Sequence, residues 1–253
     1  EEQSLMAGLV TQYNIQTSAG KVIQVPKYSA VTAADLTEGT DMSSTAVSTS
    51  KVDISIGEVG AQVVLTDMAT YGADSPATAM GTILGSAIAT KMDKDLIALF
   101  AGFSGALGAA GAEITVADLF KAAATLRANK VLGVINAVIH PYQAYQIKAG
   151  LTNTFANPNG GDLQNEAMRN GYVGTIAGIN VYESANIAID ASDDAVGAVF
   201  APEALAMAIK RDFNMAPQRD ESLRAWELNA TAVYGVAELD DSYGVKITSD
   251  AAL

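Results

Sequence analysis

Few residues in this chain are of a type that could do chemistry, and their spacing ties most of them to structure. His140 is the only histidine. It precedes Pro141, which restricts it to extended backbone at the end of an apolar run, and no second His, Cys or paired carboxylate stands near it at a ligand spacing. Its expected role is structural. The sequence contains no Cys, which excludes disulfides, thiolate nucleophiles and zinc–thiolate centres. Ser and Asp are present, but no G-x-S-x-G elbow is. The Gly-rich stretch 105–111 lacks the Lys-Ser or Lys-Thr of a phosphate loop, and the acidic residue of a dinucleotide fold is also missing, so it is expected to be a linker. Asp193-Asp194 and Asp240-Asp241 offer carboxylates to calcium, yet neither pair lies in an EF-hand-like loop, and both are expected to be solvated turns. No catalytic, cofactor-binding or metal-ligating residue is assigned. The chain is not expected to be an enzyme.

One further charged group stands out. Lys210, Arg211, Arg219 and Arg224 alternate with Asp212, Asp220, Glu221 and Glu227. Composition leaves two readings for them, an exposed strand face or a set of ion pairs between subunits.

The elements that hold these residues are bounded by composition. The chain has 253 residues, 49% hydrophobic and 17% charged, enough to bury one large core or two modest ones. No run of eighteen apolar residues occurs, so no membrane span is predicted. The net charge of −13 argues against sequence-specific DNA binding, because the overall field repels phosphates. The chain opens Glu1-Glu2 without an apolar leader core, and a processed leader or a missing preceding segment is the expectation.

The most fully specified element is a long helix over 75–102. Asp74 and Ser75 suit its cap, Pro76 its first position and Gly102 its end. Met80, Ile83, Leu84, Ala87, Ile88, Met92, Leu96, Leu99 and Phe100 recur along one stripe. Gly81 and Gly85 interrupt it at a cost, which leaves two readings, a bending point or the close approach of a neighbouring strand or arm. Before it, 1–19 reads as an extended arm without a core of its own, which needs a neighbour in this subunit or another to order it. Residues 21–66 read as a long two-stranded ribbon whose tip, TAADLTEGTDMSSTAVSTS, is polar and soft.

After the helix, Thr115 and Asp118 write a capping box for a second helix ending near Asn129. VLGVINAVI (131–139) is a buried strand, and His140-Pro141 starts a short helix over 142–149. Residues 153–171 read as a loop. A hairpin turns near Ala177-Gly178, 196–200 is another buried strand, and a helical turn follows Pro202. Long strands fill 210–235, with one or two more by 247.

Four stretches carry a family likeness in this order: VINAVIHPYQAYQIKAG (134–150), GYVGTIAGINVYES (171–184), AVFAPEALAMAIKRD (198–212) and AVYGVAELDDSYGVKI (232–247). With the arm, ribbon and long helix, the chain resembles the major capsid protein of tailed bacteriophages, with the Hong Kong 97-type capsid fold. The resemblance implies an α+β fold with an N-terminal arm (1–20) and an extended loop (21–66). It implies a peripheral domain with the spine helix (67–105 and 206–236) and an axial domain (106–205 and 237–253). It further implies self-assembly as pentamers and hexamers into an icosahedral shell that matures around double-stranded DNA without reading its sequence. Partners would be a scaffolding segment or protein, a portal and decoration proteins, with no membrane and no cofactor. The product would be made in the host bacterial cytoplasm and reside in the virion. Some members cross-link the extended loop through a Lys–Asn bond, but Lys21, Lys27 and Lys51 lie on the limbs of the ribbon, so that bond is not carried over. An encapsulin-like compartment shares the fold. A β-rich surface adhesin shares the composition, but should show regular strand repeats and no spine helix.

Overall fold

The alternation of apolar residues on the long strands and their four-residue recurrence on the long helix demand that sheets and helix cover one another. A computed structural model describes residues 4–16, 20–39, 41–42, 44–72, 76–154 and 175–252. It opens with a 3-10 turn (Met6–Gly8), β1 (Thr11–Asn14), β2 (Val22–Tyr28), β3 (Thr49–Ser55) and β4 (Gly57–Thr66). Next come α1 (Asp67–Gly72) and α2 (Pro76–Ala98), which tightens into a 3-10 turn (Leu99–Gly102). β5 (Ala106–Gly108), α3 (Val116–Ala128), β6 (Ile135–Ile139), α4 (Pro141–Thr154), β7 (Thr175–Ile176) and β8 (Ile179–Glu183) follow. The chain closes with β9 (Asp194–Phe200), a 3-10 turn (Pro202–Ala204), β10 (Leu205–Asp220), β11 (Ala225–Glu238), a 3-10 turn (Asp241–Tyr243) and β12 (Gly244–Asp250).

One sheet has the order β1-β10-β11-β4, a second β5-β12-β9-β6-β8-β7, and β2-β3 stand apart as a ribbon. α2 lies across the first sheet, where Leu84, Ile88, Leu96 and Phe100 share a core with Leu228, Ala230, Ala232 and Tyr234. At 1.5 Å per residue it is about 34 Å long, enough to run the length of that sheet. The covered stripe is narrower than the sequence suggests, since Ile83 is 51% exposed. The Tyr234 hydroxyl donates to Asp95 Oδ2 (2.7 Å), a polar tie between β11 and α2. Burial raises the Tyr234 pKa, and the Asp95 carboxylate adds to the effect.

The second core lies between the six-stranded sheet and α3 and α4, with Leu119, Leu126, Ile139, Ile147, Ile179 and Ile247 at its centre. All five residues of β6 are buried. α3 starts where the capping pattern puts it: the Thr115 N–H (3.2 Å) and hydroxyl (2.7 Å) both donate to Asp118 Oδ2. The β7–β8 hairpin turns through Ala177 (φ 57°) and Gly178 (φ 80°), both left-handed as a two-residue hairpin requires.

Several expectations change. The arm finds its neighbour within this chain, one of the two places open to it: Met6 is fully buried in the first core and β1 pairs in parallel with β10, Thr11 opposite Ala206. The ribbon ends at Ser55, and β4 leaves it to pair with β11, Val59 opposite Ala232. The strand expected from Val131 starts at Ile135, because Leu132 (95% exposed) and Val134 face outward from the preceding loop. The stretch expected to be a plain linker contains β5, which pairs with β12. α1 was not expected. α4 runs past Ala149 to Thr154, and the expected loop beyond it lies mostly outside the described residues, as do Asp74 and Ser75.

The spine glycines can be judged directly. A Cβ on Gly85 would meet nothing within 4 Å, and one on Gly81 only the end of the Met215 side chain at 3.8 Å. Among the described residues, close approach by another element of this chain is therefore not their reason. Gly81→Ala with Gly85→Ala should raise stability by about 0.8 to 1 kcal/mol per site on helix propensity. Urea unfolding of the soluble chain checks this, and an unchanged or lower midpoint would count against a free helix face.

Candidate assembly surfaces

The residues singled out for chemistry become structural ties. His140 is buried at the end of β6; its N–H donates to Gln143 Oε1 (3.0 Å), and its Nδ1 accepts from the Tyr142 N–H (3.2 Å). Gln143 Nε2 in turn donates to Ala195 O (2.9 Å) and Ser249 Oγ (2.8 Å), which links α4 to β9 and β12. Burial lowers the His140 pKa below the usual imidazole value. Asp194 is buried rather than solvated, and its Oδ1 accepts from the Gly111 N–H (2.7 Å). Asp193, with φ 62°, makes the turn before it. Asp240 and Asp241 likewise accept from Ser242 and Ser104. Among the described residues no group of three or more His, Cys, Asp or Glu side chains is placed to hold a metal ion.

The charged stretch 210–227 is satisfied largely within the chain. Arg219 forms a bidentate pair with Asp67 (2.6 and 2.8 Å), stacks over Trp226 at 5.6 Å and reaches Glu221 (3.4 Å). The Arg219 hydrogen bonds hold the Asp67 carboxyl below its usual range, against a smaller opposing effect of burial. Arg211 pairs with Glu58 (3.1 Å), and Lys210 donates to Gly20 O (2.6 Å). These contacts favour the strand-face reading, since Arg211 and Arg219 meet acidic partners within the chain.

The arm has a dedicated socket. Asp93, on the covered side of α2 and 1% exposed, accepts from Ser4 Oγ (2.8 Å), the Leu5 N–H (2.9 Å) and the Met6 N–H (3.2 Å). Sequence reading missed it, although the signal was there. Asp93 stands three and four residues before Leu96 and Ile97, so a carboxylate sits in the apolar stripe and requires donors from elsewhere.

The ribbon leaves the body over small residues. Ile54 is buried against Ala206 and Ala208, with Ile23, Val25 and Ala237 around it, on the sheet face opposite α2. A Cβ on Gly235 would stand 2.2 Å from Ser55 O, so only glycine admits the chain as it crosses from β3 to β4. Beyond this base the side chains open to solvent: Tyr28, Val31, Leu36, Met42 (74% exposed) and Val47 have little cover within the chain. Other surface concavities are shallow, one of them lined by Gln16, Lys210, Arg211, Asp212 and Val233.

No protein-family model and no curated protein sequence matches this chain. Solved structures do match, over nearly its whole length. The capsid structure of cyanophage P-SCSP1u aligns with a TM-score of 0.77 at 18% identity, covering 98% of this chain and 89% of that one. The head structure of Helicobacter pylori bacteriophage KHP40 aligns at 0.78 with 12% identity, covering 100% and 93%. A chain of the mature capsid of bacteriophage PhiM1 aligns at 0.74 with 16% identity, covering 98% and 88%. The chain therefore has the fold seen in phage capsid structures.

Two outcomes follow from this geometry. Gly235→Ala should lose about 1 to 3 kcal/mol by overpacking, with protection lost first in β2 and β3, as hydrogen exchange would read. Because the unfolded chain takes up a proton on His140 before the folded one does, stability should fall as pH drops below about 6.5. Comparing the pH dependence of urea midpoints with that of His140→Asn, whose side-chain oxygen can replace the Nδ1 acceptor, isolates this contribution.

Proposed function

We propose that this chain is the major capsid protein of a tailed bacteriophage, a shell subunit that assembles as pentamers and hexamers around double-stranded DNA. The observation that carries the reading is two-way coverage: each of these three capsid or head chains is matched over at least 88% of its own length, and this chain over at least 98%. Such agreement involves the whole subunit rather than one common motif.

In this reading β2 and β3 with residues 29–48 form the extended loop. α2 and the sheet β1-β10-β11-β4 form the peripheral domain, and the six-stranded sheet with α3 and α4 forms the axial domain. The exposed apolar residues of the ribbon then acquire a purpose, because a second copy can cover what one subunit leaves open. Large obligate interfaces bury thousands of Å², and a projecting ribbon supplies area at little cost in chain length. The charge of −13 suits enclosure without grip on DNA. Scaffold, portal and decoration proteins would complete the particle, made in the host cytoplasm and ending in the virion.

Removing residues 32–50 tests this. The truncated chain should keep the far-UV circular dichroism and unfolding midpoint of the body within about 0.5 kcal/mol, as for an exposed loop tip, while closed shells seen by electron microscopy disappear. Loss of folding would show that the tip belongs to its own subunit. A full-length chain that stays monomeric at tens of micromolar, with any leader restored, would overturn the reading. Closed shells that form around a protein cargo in place of DNA would move it to a compartment protein.

A further inference from the structure

The carboxylate of Asp93 is sealed beneath the arm, and its partners all belong to the arm. Oδ1 accepts from Ser4 Oγ (2.8 Å) and the Met6 N–H (3.2 Å), and Oδ2 accepts from the Leu5 N–H (2.9 Å). Among the described residues no Lys, Arg or His nitrogen pairs with it. A buried charge without a counter-ion depends wholly on such donors. The arm depends on Asp93 in return, because Leu5 gives the 3-10 turn Met6–Gly8 no side-chain cap of its own.

Two further contacts complete the seating. Met6 and Val10 are buried in the first core, and Leu5, Ala7 and Leu9 pack against it. β1 then adds to the outer edge of β10, from Thr11 opposite Ala206 to Asn14 opposite Ile209. The Thr11 hydroxyl donates to Pro202 O (2.9 Å), and the Ile15 N–H donates to Ile209 O (3.0 Å). These are the means by which a protein holds an extended peptide: main-chain pairing along a sheet edge, pockets for spaced apolar side chains, and a charged group on free amides. The rest of the sheet does not run through the arm, since β10, β11 and β4 pair with one another without β1.

We propose that the groove between α2 and the outer edge of β10 is a peptide-binding site whose resident ligand is residues 4–14, and that it accepts this segment in trans as well as in cis. The site lies within one chain and stands independently of whether the chain builds a shell.

The contacts define the class of peptide. Asp93 Oδ1 calls for a hydroxyl, which Ser4 supplies. The next two residues must offer free amides, which excludes Pro at both, and the second of them must be a long apolar side chain, here Met6. Four residues on, a second apolar side chain is buried, here Val10, and an extended stretch follows. Selectivity therefore falls on Ser4, Met6 and Val10, while the amides and the strand ladder read backbone alone. An acidic side chain at the Met6 position would face Asp93 and be rejected. The resident arm wins by its tether, because a segment joined to its receptor acts at an effective concentration of about 1 mM.

The full chain carrying Met6→Asp frees the groove of its own arm. A labelled peptide of residues 1–16 with the parent sequence, followed by fluorescence anisotropy, should bind this variant saturably and the parent chain not at all. The same peptide carrying Met6→Asp should bind neither. Adding Asp93→Ala to the Met6→Asp chain should weaken binding at least about tenfold, since three bonds to a charged acceptor are lost. No saturable binding up to about 1 mM, equal binding by the parent chain, or unchanged affinity after Asp93→Ala overturns the proposal. Hydrogen exchange of the parent decides the matter should Met6→Asp fail to fold. Amides of residues 5–14 should open together, at least about tenfold more often than the β10–β11 ladder, and arm amides that open only with that ladder also overturn it.

Discussion

The sheet β1-β10-β11-β4 has to be covered on both faces, and most of the molecule is a consequence of how that is done. One face takes α2, whose stripe of Leu84, Ile88, Leu96 and Phe100 is too long for a small core and too apolar for water. The other takes the root of the ribbon, which can lie flat only because Ala206, Ala208 and Gly235 present almost no side chain. Close packing makes such an arrangement sensitive to single methyl groups. A projecting ribbon is therefore paid for by smallness in strands nearly two hundred residues downstream.

The six-stranded sheet is joined to this body through aromatic residues at the end of the spine. Phe100 lies against Phe200 with ring centroids 5.5 Å apart and against Phe103 at 6.4 Å, and all three are buried. Gly244 lies against the Phe103 ring, which leaves no room for a Cβ there. The helix end is thus shared property: its packing belongs to one core through Phe100 and reaches the start of β12 through Phe103.

What could be read from the sequence was local. Thr115 and Asp118 start α3, Ala177-Gly178 turn a hairpin and Gly102 ends the spine, because each signal lies within a few residues of its effect. β4 could not be separated from the ribbon in this way. Val59, Val63 and Leu65 alternate as the ribbon strands do, and what claims them is Ala232, Leu228 and Trp226 on a strand far along the chain. α1 has no buried residue, its Met68 and Tyr71 stand exposed, and its ties are the pairing of Asp67 with Arg219 and the Thr66 hydroxyl accepting from the Ala69 N–H. Asp93 was legible in principle, as a charge on an apolar stripe. The partner of the arm was not, since Ser4 to Met6 carry no mark of their destination. The likeness to capsid proteins rested on the order of weak signals, and order survives when identity falls to 12–18%.

The same pairings set a timetable. Thr11 faces Ala206 and Val59 faces Ala232, so β1 and β4 have no partners until β10 and β11 exist. During synthesis at roughly 5–20 residues per second, the early strands wait on the order of ten seconds or more for that sheet to close. Non-local pairing of this kind folds slowly and leaves strand edges bare meanwhile. The ribbon cannot take its final angle before β11 is made, since Gly235 is part of its seat. A nascent chain that has not yet made β11 thus lacks the finished form of its ribbon, and the apolar side chains along it take their final setting only then.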